Sequence, residues 1–226
     1  MALTDEAITK LRNMIQSGEL PPGSRLPSES QLAIQLGLSR SGIREAVKVL
    51  ESARVLEVRR GDGTFVTSLA PGLLLEGVGF AVELLQGDTL LEVMEVRRLL
   101  EPAATGLAAR RISDDQLDEL ADLLRQMEDR ADDAEGLMQA DLAFHRVVIA
   151  STGNETLTSL LDGLSGRTVR ARVWRGLVEG NVTQTTLDEH RAIYLALLAR
   201  DQSLASAAAH LHVNTSESWL RARLTG

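Results

Sequence analysis

The sequence predicts a mainly α protein in two parts: an N-terminal winged helix-turn-helix with a small β wing, then a C-terminal all-α antiparallel helical bundle. Three observations predict it. Between Pro27 and Val66, two amphipathic segments, each opened by a serine, lead through a further short element into a hairpin with Arg60-Gly61-Asp62-Gly63 at its tip. Beyond Val66 the strand signals stop, and apolar residues recur at helical spacing. Aromatic residues make up only 3% of the chain, so the core must be Leu, Val, Ile and Ala, which favours packed helices. A chain of 226 residues can bury two cores. The expected division is 1–68 for the winged helix-turn-helix, 69–88 for a linker and extra helix, and 89–226 for the helical domain.

The first helix of the pair starts at Pro27-Ser28-Glu29, with Ser28 as N-cap and Gln31 placed to complete a capping box. Leu32, Ala33 and Leu36 form its inner face, and Gly37 ends it in a left-handed conformation. Ser39 caps the second helix, which turns Ile43, Val47 and Leu50 inward. Its outer face opens with Ser39, Arg40, Ser41 and Arg44, the hydroxyls and guanidinium groups that a recognition helix uses on phosphates and guanine edges.

After the connector Ser68–Gly72, the segment Leu73–Leu85 is too apolar for a linker and should pack as an extra helix. A long helix follows from Thr89 to about Ala109. Ser113 with Gln116 caps another, to about Asp132. Further helices are expected over 135–151, 154–178, 183–200 and 201–223. The fourth helix of this bundle is open to interruption at Gly163 or Gly166.

Charge is informative only when read locally. The chain carries a net charge of −8, which argues against a general nucleic-acid binder. Residues 1–68 hold nine Lys/Arg against eight Asp/Glu, and within 40–60 six basic residues face three acidic ones. A small basic face on an acidic protein suits a sequence reader that must not adhere everywhere. The chain has no cysteine, which excludes disulfides and thiolate metal sites and makes a cytoplasmic location the natural expectation. No signal region and no long apolar run is visible, so no membrane association is expected.

The N-terminal run resembles the winged helix of the GntR-type bacterial transcription regulators, in which LPSExxLA, GxSRxxxREAxxxL and RRGxGTFV occur in this order and spacing. The resemblance covers roughly residues 5–67. It implies that Arg40 and Arg44 read the groove, that Ser39 and Ser41 contact phosphate or sugar, and that Arg60-Gly61 enters the minor groove as the wing tip. Two departures stand out: Ser30 replaces an arginine of some relatives, and Gly42 inside the recognition helix costs about 1 kcal/mol relative to Ala.

In the bundle, Asp141 and His145 share a helix face with Leu137, Phe144 and Val148. His190 falls in the stripe Leu187, Tyr194, Leu197, Leu198, and His212 in the stripe Leu204, Ala208, Leu211, Trp219. His210, about 200° round the helix from His212, is expected to be exposed. Three imidazoles and a carboxylate would make a divalent-metal site if they converged. Spacing alone does not decide between that and separate hydrogen-bonded core histidines.

Residues 90–222 resemble the all-helical ligand-sensing (FCD) domain of the FadR-like branch of these regulators. There a D-x3-H pair, an EHRAI-type histidine and a histidine near the last helix bind a metal. The resemblance implies one divalent ion per chain (Zn, Ni or Mn) on Asp141, His145, His190 and His212, with His210 as an alternative to the last. It also implies a small carboxylic-acid effector rather than an acyl-CoA, since the acyl-CoA regulator of the branch lacks these histidines. Arg97, beside the buried stripe Val93, Leu100, Ala104, is the candidate clamp for the acid, with a plain salt bridge as its bland alternative. Asn154 and, less directly, Arg170 and Arg172 are candidate lining residues.

The function these features imply is a dimeric repressor on a palindromic DNA operator, released when the acid shifts the bundle and changes the spacing of the two winged helices. The alternatives are a regulator whose effector is the metal itself and a metal-dependent enzyme. No HExxH motif or second carboxylate on the same face supplies a general base, although Glu189 beside His190 is a candidate.

Overall fold

A computed structural model describes residues 3–84, 89–165 and 182–225. Its contacts divide the chain into two compact units, Met1–Gly77 and Val78–Gly226. No helix among the described residues is long and apolar enough to cross a membrane.

The first unit is α1 (Leu3–Gln16), α2 (Glu29–Leu36), α3 (Arg40–Ser52), β1 (Leu56–Arg59), β2 (Gly63–Val66) and the single turn α4 (Pro71–Leu74). Helix α1 lies outside the elements read from the sequence; it packs on α3 and buries Ala7 and Leu11 against Ile43 and Ala46. Both predicted features of α2 are present. Ser28 and Gln31 make a reciprocal capping box, and Gly37 closes the helix at φ +67°. Leu32 and Ala33 are buried, while Leu36 is only partly so.

The wing differs from the reading in one respect. No separate element stands between α3 and the hairpin; a tight turn at Arg54 (φ +59°) leads straight into β1. The extra wing segment comes instead from before α2. Leu26 donates to Thr64 and Val66 donates to Ser24, so residues 24–26 line the edge of β2. β1 and β2 pair antiparallel, with Arg59 opposite Gly63.

The second unit contains most of α5 (Glu76–Leu84), then α6 (Thr89–Ala109), α7 (Asp114–Asp129), α8 (Ala134–Ala150), α9 (155–165), α10 (Val182–Leu198) and α11 (Gln202–Thr225). The helical expectation holds, with ends shifted by up to three residues; the predicted stretch 166–178 lies outside the described residues. Ser113 and Gln116 form the second capping box. The main core joins Leu120 and Met127 of α7, Phe144 of α8, Ala196 and Leu197 of α10, and Ala205 and Ala209 of α11. The apolar segment after the wing does become a helix, but among its described side chains on α5 only Val82 is buried; Phe80 and Leu84 are exposed.

Small residues let α6 and α11 run close together. A Cβ at Gly106 would lie 3.0 Å from the Gln202 carbonyl oxygen and 3.3 Å from Ser206 Cβ. Gly106→Val is therefore expected to cost roughly 1–3 kcal/mol through overpacking. Thermal unfolding followed by circular dichroism should show a midpoint several degrees lower; an unchanged midpoint would contradict the close approach.

Candidate functional site

The two candidate sites lie in separate units and are built from different chemistry. In the first unit, Ser39 caps α3 by accepting from the Gly42 N–H at 3.1 Å, and its Oγ lies 3.2 Å from Ser41 Oγ. The cap also holds Gly42 in a helix that its own propensity disfavours. Arg40, Arg44, Arg60 and Gly61 are all exposed. Gly61 sits in the wing turn at φ +78°, a left-handed conformation suited to glycine.

The six basic residues of 40–60 do not have equal roles. Arg44 is bound to Glu29, Lys48 to Glu45, Arg54 to Glu76, and Arg59 to Glu57. Arg59 also stacks on Phe65, 4.3 Å from the ring centre, which commits it to the wing. Arg40 and Arg60 make no ion pair among the described residues, so their charge faces solvent. The hydrogen bond and charge of Glu29 raise the pKa of Arg44 above its ordinary value, so that side chain stays a cation at any physiological pH.

In the second unit, α8 contributes Asp141 and His145 one turn apart, α10 contributes His190, and α11 contributes His212. All four are buried. The sequence stripe offered for His212 needs correction: Leu204 and Leu211 are exposed, and the buried face of α11 is Ala205, Ala209, His212, Val213, Ser216 and Leu220. Leucines suggested the wrong face because the α6–α11 contact is built from small residues. Leu198 of the His190 stripe is likewise half exposed, whereas His210 is exposed as expected.

The three buried histidines meet. One ring nitrogen from each lies within 4.8 Å of the others, and the ring centres are 4.6 Å apart for His190–His212, 5.0 Å for His145–His212 and 5.1 Å for His145–His190. Phe144, fully buried, packs edge-on against His145 and His190 and forms an apolar wall of the cluster.

Hydrogen bonding assigns the tautomers. His190 Nδ1 lies 2.7 Å from the Thr186 carbonyl oxygen, which can only accept, so Nδ1 carries the hydrogen. His190 Nε2 stands 3.1 Å from Asp141 Oδ1 yet makes no hydrogen bond. A metal ion among the three rings would give this buried nitrogen a partner. His212 Nδ1 lies 3.0 Å from Glu189 Oε2, which places its hydrogen there and the lone pair on Nε2.

Imidazoles held from behind by a carbonyl and a carboxylate, with Asp141 beside them, fit a divalent cation. Glu189, considered from the sequence as a base beside His190, is instead the partner of His212. That pairing joins two helices, and no spacing within either could reveal it.

The ligand candidates fare differently. Arg97 is fully buried on α6 and pairs with Glu101 one turn on, with Met94 Sδ 3.8 Å from its Nη1. Met94 packs with Val213, next in sequence to His212. The Asn154 side chain is exposed and caps α9, Oδ1 accepting from the Leu157 N–H at 3.1 Å. Arg170 and Arg172 lie outside the described residues. Arg98 binds Glu217 of α11 at 3.0 Å and helps hold α6 to α11.

Comparison with known proteins gives a consistent result. Residues 3–66 match the bacterial regulatory proteins of the gntR family, and residues 92–215 match the FCD domain. The chain is 32% identical over 223 residues to the galactonate operon transcriptional repressor of Escherichia coli, covering 96% of each. It is 31% identical over 212 residues to the HTH-type transcriptional regulator LutR of Bacillus subtilis, covering 92% of this chain and 96% of that one. A solved Streptococcus agalactiae GntR structure superposes with a TM-score of 0.67 at 32% identity, over 96% of this chain and 99% of the other.

Proposed function

The chain belongs to the GntR family of bacterial DNA-binding transcription regulators, with an FCD domain as its second part, and from that premise we propose a repressor released by a small organic acid bound at a divalent metal in the helical domain. It is a regulator rather than an enzyme, as its named relatives are. The observation that carries the proposal is the cluster of three buried histidines, with Asp141 3.1 Å from His190 Nε2, a buried nitrogen that makes no hydrogen bond.

Asp141, His145, His190 and His212 would hold one ion of the zinc, nickel or manganese class, which when bound would offer an anion its open coordination positions. Thr186 and Glu189 keep the far ring nitrogens occupied and so orient two of the imidazoles. Arg97 is the proposed clamp for the acid's carboxylate, which would share or take over the guanidinium now bound to Glu101. The role named for one relative, repression of a galactonate operon, supports a hydroxy- or sugar-acid effector.

On the DNA side, Ser39, Arg40, Ser41, Arg44, Arg60 and Gly61 form the proposed interface. A homodimer on a palindromic operator would bring two such faces to one DNA site.

Elemental mass spectrometry of protein purified without chelator tests the metal half. The expected result is about one divalent ion per chain, lost in both Asp141→Ala and His190→Ala, with a lower thermal midpoint after chelation. Metal-free wild type would end the metal proposal. A change of operator affinity on adding metal alone, without acid, would transfer the effector role to the ion.

A further inference from the structure

The pairing of Arg44 with Glu29 has a particular geometry. Arg44 Nε donates to both Glu29 carboxylate oxygens, at 3.3 and 3.1 Å, and Nη2 donates to Oε2 at 2.9 Å. The carboxylate thus occupies one long edge of the guanidinium. A guanidinium carries five N–H donors in a rigid plane, so the end formed by the remaining Nη1 and Nη2 hydrogens still points away as a parallel pair. Glu29 is itself well placed: it is the first residue of α2, set by the Ser28–Gln31 capping box, and α2 is anchored to α3 through the buried Leu32 and Ile43.

Resting on the assignment of Arg44 to the DNA interface, we propose that Glu29 is a specificity-determining residue that aims Arg44 at a guanine. Two physical effects act together. The carboxylate fixes the plane of the guanidinium, so its end-on donor pair meets guanine O6 and N7 without further ordering. Its negative charge also repels a phosphate approaching Arg44, while a neutral base edge is accepted. An arginine without such a neighbour bonds phosphates and bases with little discrimination. Arg40, one turn away and without an ion pair among the described residues, suits that less selective task. Glu29 therefore makes Arg44 a reader rather than an anchor.

Selection from randomised double-stranded DNA with the full-length protein tests this directly. Wild type should enrich a guanine at one position of each half-site. Glu29→Gln should lose about tenfold of the preference at that position while keeping the other preferred positions. Its binding should also become more salt-dependent, as Arg44 turns to phosphate. Glu29→Asp, which keeps the charge, should restore part of the preference, and Arg44→Lys should lose the same position. An unchanged motif in Glu29→Gln, or a uniform change of affinity for all sequences, overturns the role of Glu29. A wild type that enriches no sequence at all overturns it together with the DNA-interface assignment. Thermal midpoints of the Glu29 variants equal to wild type would place any loss in recognition rather than folding.

Discussion

Arg40→Ala is expected to weaken binding to a two-half-site operator by roughly 10²-fold or more, whereas Lys48→Ala should change it by no more than about twofold. Both are exposed cations on the same helix, and net charge changes equally in the two variants. The difference lies in what each charge already does. Lys48 is bound to Glu45 one turn back at 3.0 Å, so much of its field is cancelled before DNA arrives. Arg40, the first residue of α3, has no ion pair among the described residues, and its charge is available to the proposed DNA contact. In a dimer the loss counts once per half-site, which multiplies the effect on affinity. Fluorescence anisotropy on an operator recovered by selection, repeated over a salt series, measures it. If Arg40 contacts phosphate, the salt slope should fall by about one for each half-site. Equal effects of the two variants would show that only total charge matters.

Glu101→Ala is expected to destabilise the helical domain by roughly 3–5 kcal/mol, because it breaks a buried ion pair by removing one partner. Arg97 is fully buried and Glu101 is 3% exposed, so solvent cannot replace the lost carboxylate. For a chain of this size each kcal/mol lowers the midpoint by about 2–4 °C, giving a fall on the order of 10 °C in scanning calorimetry. The double variant Arg97→Met with Glu101→Leu should recover most of that loss, since removing both charges avoids the desolvation penalty as well. If Arg97 also clamps the effector carboxylate, acetate at high concentration should partly rescue Glu101→Ala by returning an anion to the guanidinium, and chloride should do so less. A midpoint unaffected by Glu101→Ala would mean that Arg97 finds full compensation elsewhere, contrary to the structural role assigned to this pair.

Much of the first unit was legible in the sequence because its signals are local. A capping box needs two residues three apart, and Ser28 with Gln31 states it directly. Gly37 ends α2 for the same short-range reason, since few other residues tolerate its backbone angle. Helix α1 and the 24–26 edge were not legible, because each is held by contacts with residues far along the chain. In the helical domain, the period of apolar residues identified the helices, but it misjudged the face of α11. There alanine and glycine, rather than leucine, make the closest contact.

By itself, the sequence determined the type of most elements, the caps, the basic run on α3 and the wing, and the presence of Asp141, His145, His190 and His212 as chemistry without a stated geometry. Tertiary structure alone decided that the three histidines share one cluster, that Glu189 holds His212, that Arg97 is paired with Glu101, and that Glu29 holds Arg44. The physical reason is the range of the interactions. Caps and amphipathic faces are properties of one helix, set by backbone periodicity within a few residues. A donor set assembled from α8, α10 and α11 depends on how three helices rotate against one another, and that rotation is set by the packing of every side chain between them.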